Sequence, residues 1–210
     1  MPAEIELKYS LTSAHTMEHM IKDELIQHYI KDPFKQSESR SDYYDTQDWT
    51  LSEHDFALRV TMLSNMQVAV LKKGNFRSED VKGLYRGSQW YSPFSGTATI
   101  VEDLMDRGAP VEFRDLMEGK SLEPCFYTQL SRNKNTLYLP DRTRVEISFD
   151  IGELVADGKH MPLYELGLEL LYGSEELLIN YSEQLTEKFT MTPVLLTKQE
   201  RALRFLRSRS

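Results

Sequence analysis

Glu4-Ile5-Glu6-Leu7-Lys8 alternates two carboxylates and an ammonium with aliphatic side chains. In a β-strand, residues at i, i+2 and i+4 point to one face. The stretch therefore reads as a strand that aims Glu4, Glu6 and Lys8 one way and Ile5, Leu7 and Tyr9 the other. The two acids then stand about 7 Å apart, twice the strand rise of about 3.3 Å. A divalent cation relieves their repulsion, and magnesium favours one or two carboxylates together with phosphate oxygens. A strand face open to water accommodates the same five residues, so the rest of the chain has to decide.

The totals narrow the field. A chain of 210 residues, 40% hydrophobic and 28% charged, has the make-up of a soluble globular protein that can bury a sizeable core. We read residues 1–210 as one domain, because no linker, low-complexity tract or repeat divides them. No apolar run is long enough to span a bilayer and no basic-then-apolar leader is present, so no membrane association is expected. The single cysteine, Cys125, excludes an intramolecular disulfide and suits a reducing cytoplasm. A net charge of -8 argues against nucleic acid as a partner. It leaves the 25 Lys and Arg residues free to line one cavity while acids cover the outside.

Hydrophobic periodicity supplies a coarse plan. Thr12 or Ser13 caps a helix to about Ile30, and Lys31 to Ser41 reads as a loop. Strands follow at Ser41–Thr46, Phe56–Met62, Met66–Gly74 and Val81–Tyr91, with a hairpin turn at Ser64-Asn65. Pro93 to Gly119 reads as helical with breaks at Gly108 and Pro110. Further strands are expected at Cys125–Lys134, Asn135–Leu139, Arg142–Ile151 and Met161–Tyr172, with Gly152 and Gly158 marking the last turn. A helix from Ser174 to Phe189 and a short one over Lys198–Arg207 complete the chain.

Charge recurs where strands are usually apolar. Arg59 sits among Ala57, Leu58 and Val60; Lys72 ends an apolar run; Arg86 lies between Tyr85 and Gly87. By two-residue spacing Arg132 and Lys134 share a face, as do Arg144, Glu146 and Ser148, and Glu165, Gly167 and Glu169. If these strands close into a barrel, every second residue points inward. An interior of acids and bases then needs mutual pairing, or a bound metal and polyanion, to offset desolvation. No glycine-rich phosphate loop, G-x-S-x-G or H-E-x-x-H competes with that reading. His15 and His19 are four apart on a helix but lack a third metal ligand.

The ordered set of motifs resembles the CYTH superfamily, the triphosphate tunnel metalloenzymes. Glu4-Ile5-Glu6-Leu7-Lys8 matches its E-x-E-x-K signature, Tyr43-Tyr44-Asp45-Thr46 its Y-Y-D-T strand and Ala57-Leu58-Arg59 its A-L-R strand. Leu71-Lys72, Arg86, the acidic strand from Glu146 to Gly152, Glu165-Leu166-Gly167-Leu168-Glu169-Leu170 and Thr197-Lys198-Gln199-Glu200-Arg201 follow in the family's order. The resemblance implies an α+β fold, a closed eight-stranded antiparallel β-barrel forming a tunnel, with flanking helices. It implies hydrolysis or cyclisation of triphosphates with Mg2+ or Mn2+. Carried over, Glu4, Glu6, Glu146, Asp150 and Glu165 are the metal carboxylates. Lys8, Arg59, Lys72, Arg86, Arg132 and Lys198 hold the triphosphate, and Glu4, Glu6 and Lys8 form the catalytic signature.

Two positions depart from the family pattern. Thr61 stands where a second arginine is frequent, and Gly167 replaces the middle acid of E-x-E-L-E-L. Gly167 reads either as a bulge or close approach inside the barrel, or as a weakened second metal site. Among family activities, inorganic triphosphate needs only the basic tunnel and is the expected substrate. Thiamine triphosphate would call for an aromatic such as Trp49, Trp90, Tyr43, Tyr85 or Tyr91, and a class IV adenylate cyclase for a base pocket. A module that binds a polyphosphate or nucleotide without turnover is the alternative of another class. The protein is expected as a monomer or homodimer.

Overall fold

The computed structural model describes residues 3–63 and 65–207. Strands β1 (Ala3–Leu11), β2 (Lys35–Asp45), β3 (Phe56–Leu63), β4 (Met66–Asn75), β5 (Leu84–Pro93), β6 (Glu123–Tyr138), β7 (Arg144–Ala156) and β8 (Lys159–Tyr172) pair antiparallel in the order β1-β5-β4-β3-β2-β6-β7-β8. β8 pairs back onto β1, so the eight strands close into a barrel and leave no free edge. A short β9 (Met191–Pro193) adds to the end of β1.

The alternation of the first strand is the rule for the whole barrel. Leu7 and Tyr9 of β1, Val145, Ile147 and Phe149 of β7, and Leu166 and Leu168 of β8 face outward into one apolar cluster. Helices α1 (Ala14–Ile21), α2 (Glu24–Gln27) and α6 (Glu175–Lys188) cover it with Met17, Met20, Ile26, Leu178, Tyr181 and Leu185. On another side, Leu58, Val60, Ala69, Leu71 and Trp90 meet α3 (Thr50–Glu53), α4 (Ile100–Met105) and α5 (Val111–Met117) through Leu51, Ile100, Leu104, Phe113 and Met117. A third cluster lies around Tyr43, Phe126, Leu130, Leu154 and Leu163. There α7 (Lys198–Arg207) packs Ala202, Phe205 and Leu206 against the barrel.

Several expected boundaries move. The first helix is two, because the Asp23 carboxylate accepts from Leu25 N at 3.0 Å and starts a new turn. The loop expected over Lys31–Ser41 is strand from Lys35, since β6 supplies partners as far as Lys134. β6 runs unbroken through residues expected as two strands. Gly152 is a mid-strand residue whose missing side chain admits the Gln129 carbonyl. The turn lies later, at Asp157-Gly158, where both residues have positive φ, as a two-residue type I′ hairpin requires. The helical break at Gly108 and Pro110 is present, whereas α3 and β9 carry too few residues to leave a periodic signal. Of the expected Ser64-Asn65 turn, Ser64 lies outside the described residues.

Candidate functional site

Directly paired residues of antiparallel strands share a face, with Cβ atoms about 4.5–5.5 Å apart. The register therefore lays the inward side chains out in rungs. One rung reads Glu146–Glu169–Glu6–Tyr85 across β7, β8, β1 and β5. The next reads Lys134–Ser148–Gly167–Lys8. The third reads Arg132–Asp150–Glu165–Ser10. Across the barrel, Arg59 pairs with Val70 and Tyr43, and Lys72 with Ala57 and Gln89. A cavity of about 420 Å³ opens between these walls, lined by Glu4, Glu6, Glu146 and Glu169 on one side. Lys8, Arg59, Lys72, Arg132, Lys134 and Lys198 supply its cations.

The carboxylate rung carries more negative charge than its lysines settle. Glu6 Oε2 takes Lys8 Nζ at 3.0 Å, Glu146 Oε2 takes Lys134 Nζ at 3.0 Å, and Glu4 Oε1 takes Lys72. Glu169 has no basic partner among the described residues; burial and then the charges of Glu6 and Glu4 push its carboxyl up to about 7. Burial raises Glu6 as well, but Lys8 and Lys72 outweigh it and hold Glu6 below its ordinary value. The same burial and the Glu4 and Glu6 charges push the Tyr85 hydroxyl upward. Among the described residues five buried side-chain atoms make no hydrogen bond: Glu4 Oε2, Arg59 Nε, Trp90 Nε1, Gln199 Oε1 and Arg201 Nε; of these, Glu4 and Arg59 are the charged groups that line the cavity. An unpartnered carboxylate oxygen fits a cation, and an unpartnered guanidinium N–H fits an anion. Among the described residues, no three acidic, His or Cys side chains converge into a ready-made metal cage; Glu4, Glu6 and Glu146 each turn one oxygen onto a lysine.

The rung nearest α7 differs in kind. Asp150 holds Arg132 bidentately, at 2.6 and 2.7 Å. Glu165, only 2% exposed, takes Lys198 Nζ at 2.6 Å on one oxygen and Arg201 on the other. Burial would raise both carboxyls, and their basic partners outweigh it to hold both low. Burial lowers Lys198, with the charge of Lys8 in the same direction. Gln199 of α7 reaches Asp45 Oδ2 at 2.7 Å. Asp45 also accepts from the backbone of Thr46, Leu51 and Ser52, which explains the acid in Tyr43-Tyr44-Asp45-Thr46 as a fully satisfied anchor.

The expected site residues thus divide. Glu4, Glu6, Lys8, Arg59, Lys72, Arg132, Glu146 and Lys198 face one cavity. Asp150 and Glu165 point into the barrel, but guanidinium and ammonium groups take up their oxygens. Arg86 is corrected: Tyr85 faces in with Glu6, so Arg86 faces out, 55% exposed, and binds Glu175 of α6 with Nη1–Oε2 at 2.8 Å. Glu169 and Lys134 join the cavity although sequence reasoning gave them no role. Their two-residue spacing from Gly167 and Arg132 was the available signal. Thr61 lines the wall and donates to the Arg40 carbonyl at 3.1 Å. Gly167 is no bulge: it stays in register, and a Cβ there would stand 2.6 Å from Glu6 Oε1 and 2.8 Å from Ser148 Oγ. Glu6 occupies the space a side chain would take.

The eight antiparallel strands thus close around a cavity of opposed carboxylates and cations. The CYTH domain model matches residues 2–202, and the chain belongs to that family. The inorganic triphosphatase of Haemophilus influenzae is 25% identical over 145 residues, 68% of this chain and 39% of the relative. The chain thus spans about two-fifths of that protein's length. Among solved structures, one from Hippeastrum, provisionally named an adenylyl cyclase and described as having a dominant triphosphatase activity, superposes with a TM-score of 0.60. It is 14% identical, over 96% of both chains. One from Bacillus halodurans, provisionally named an adenylate cyclase, gives 0.53 at 19% identity over 96% of this chain and 98% of its own. Both likenesses bear on the fold.

Proposed function

We propose that this chain, as a single domain, hydrolyses a phosphoanhydride bond of a triphosphate, with inorganic triphosphate as the first substrate. The observation that carries the reading is the pair of unpartnered polar atoms of opposite character in one cavity, Glu4 Oε2 and Arg59 Nε. Glu4 keeps this free oxygen although Lys72 takes its other one, and further acids and cations line the same cavity, so a ligand bringing both a cation and a polyanion completes the set.

Arg59, Lys72, Lys8, Arg132, Lys134 and Lys198 hold and orient the phosphate oxygens from several directions. That positioning lowers the entropic cost of the attack, and the fixed cations stabilise charge as it shifts. Glu4, Glu6, Glu146 and Glu169 would hold Mg2+ or Mn2+, which when bound neutralises phosphate charge and lowers the pKa of a coordinated water. Asp150 and Glu165 we assign to holding Arg132, Lys198 and Arg201 in place. Tyr91 and Leu171, large and half-exposed on the cavity wall, favour a second reading in which the triphosphate carries an organic group.

Phosphate release from inorganic triphosphate, ATP and thiamine triphosphate, each with Mg2+ and with Mn2+, tests the proposal. Metal-dependent cleavage of inorganic triphosphate in preference to the others supports it. Preference for an organic triphosphate selects the second reading. Ligand-induced stabilisation without any release would make the domain a binding module.

A further inference from the structure

Two hairpins of the barrel use the same turn with different residues. Between β7 and β8 the positive-φ pair is Asp157-Gly158, with φ of 51° and 67°. Between β6 and β7 it is Asp141-Arg142, with φ of 52° and 60°, closed by Thr143 N donating to the Pro140 carbonyl at 3.0 Å. Glycine enters the left-handed region without steric cost, and arginine does not. The chain thus keeps a strained arginine where its own neighbouring hairpin shows the relaxed solution. Strain of this kind persists where the surrounding structure enforces it, and it is enriched at ligand sites.

What surrounds Arg142 indicates the need. Tyr138, Arg144 and Tyr172 are successive cross-strand partners on β6, β7 and β8, and so form one row beside the turn. Lys31 Nζ sits 4.0 Å from the centre of the Tyr138 ring, and the Arg144 guanidinium 5.6 Å from it. Lys31, Arg142 and Arg144 make no ion pair with a carboxylate among the described residues. Tyr172 is 65% exposed and has no ring partner. A cavity of about 440 Å³ lies between the turn and the two tyrosines, within the size range of small-ligand sites, roughly 300–1,000 Å³.

We propose that this row is a second ligand site, outside the tunnel, for a nucleotide. Its planar ring stacks on Tyr172, and its phosphate takes the forked N–H groups of Arg142 and Arg144. Two rings and two guanidinium groups in one cavity suit a ligand with a flat face and an anionic end. A bare phosphate would leave the tyrosines without purpose, and a neutral ring the arginines. The site stands apart from the proposed hydrolysis and can hold or fail without it.

Titration calorimetry in EDTA with AMP, adenosine and inorganic phosphate tests this, because no turnover is needed. AMP is expected to bind more tightly than either fragment. Arg142→Gly should weaken AMP binding at least about tenfold while raising Tm by about 2–4 °C, since the turn relaxes. Tyr172→Ala should weaken it comparably, Arg59→Ala in the tunnel should leave it unchanged, and neither rim variant should alter phosphate release from inorganic triphosphate. Absence of AMP binding would overturn the proposal. So would binding that survives both rim substitutions, or binding lost with Arg59→Ala, which would place the nucleotide in the tunnel.

Discussion

The barrel interior holds two charged regions built from similar residues and left in opposite states. Around Asp150 and Glu165, each carboxylate oxygen meets a guanidinium or ammonium group, and α7 seals the arrangement. Around Glu146, Glu169 and Glu6, acids stand side by side, one of them without a basic partner, with Glu4 Oε2 unpartnered nearby. A paired region contributes structure, because breaking it strands a buried charge. A frustrated one stores unfavourable electrostatics that a bound cation or a proton relieves. Residue type alone does not separate the two; partner count does.

The largest break in this comparison comes at the paired end. Glu165→Ala leaves Lys198 and Arg201 buried without a counter-charge and should cost about 3–5 kcal/mol, read by chemical denaturation. Glu165→Gln should recover part of that loss by keeping hydrogen bonds. At the frustrated end, Glu4→Gln should lower kcat for inorganic triphosphate about 10²-fold or more while moving stability far less, checked by pairing kinetics with a melt.

pH separates the regions next. The Glu169 carboxyl is raised from an ordinary 4.5 to about 7, so its protonated form is the one the fold favours. The stability it contributes is complete below about 4.5 and is lost as pH rises through about 7. Glu169→Gln should flatten that decline, and Mg2+ with triphosphate should reverse it in the wild type. For Asp150 and Glu165, held low by their partners, stability is present above their unfolded pKa values and lost only on strong acidification. Melting curves from pH 4 to 9 distinguish these slopes.

Smaller effects sharpen the boundary of the site. Gly167→Ala has no left-handed backbone to violate, so its stability change should stay within about 1 kcal/mol. Its Cβ must move Glu6 Oε1, and turnover of inorganic triphosphate should fall. Arg86→Ala, at an exposed pair outside the barrel, should change stability by less than about 1 kcal/mol and leave phosphate release unaltered.

Local alternation made much of this legible in the sequence. Glu4, Glu6 and Lys8 reveal their common face because a strand's period is two and the residues between them are aliphatic, and Arg59 and Lys72 stand out as charges within or at the end of apolar runs. Register was not legible, since it depends on which strands meet. Glu169 joins the site only because β8 sets it beside Glu6 and Glu146, and Arg86 leaves it because β5 enters with Tyr85 inward. The roles of Asp150 and Glu165 rest on Arg132, Lys198 and Arg201, which reach them across a strand or from α7. Pairing of that kind leaves no local spacing to read. The N-terminal half of β2 was missed for a similar reason: its polar sequence is strand only because β6 lies alongside.

A crystal grown with Mn2+ and a non-hydrolysable triphosphate, with the metal located by anomalous scattering, tests the division of the interior most directly. Manganese is expected among Glu4, Glu6, Glu146 and Glu169, with phosphate oxygens on Arg59 and Lys72 and the Glu165 pairs intact. Manganese on Asp150 or Glu165, with Lys198 and Arg201 displaced, would contradict it.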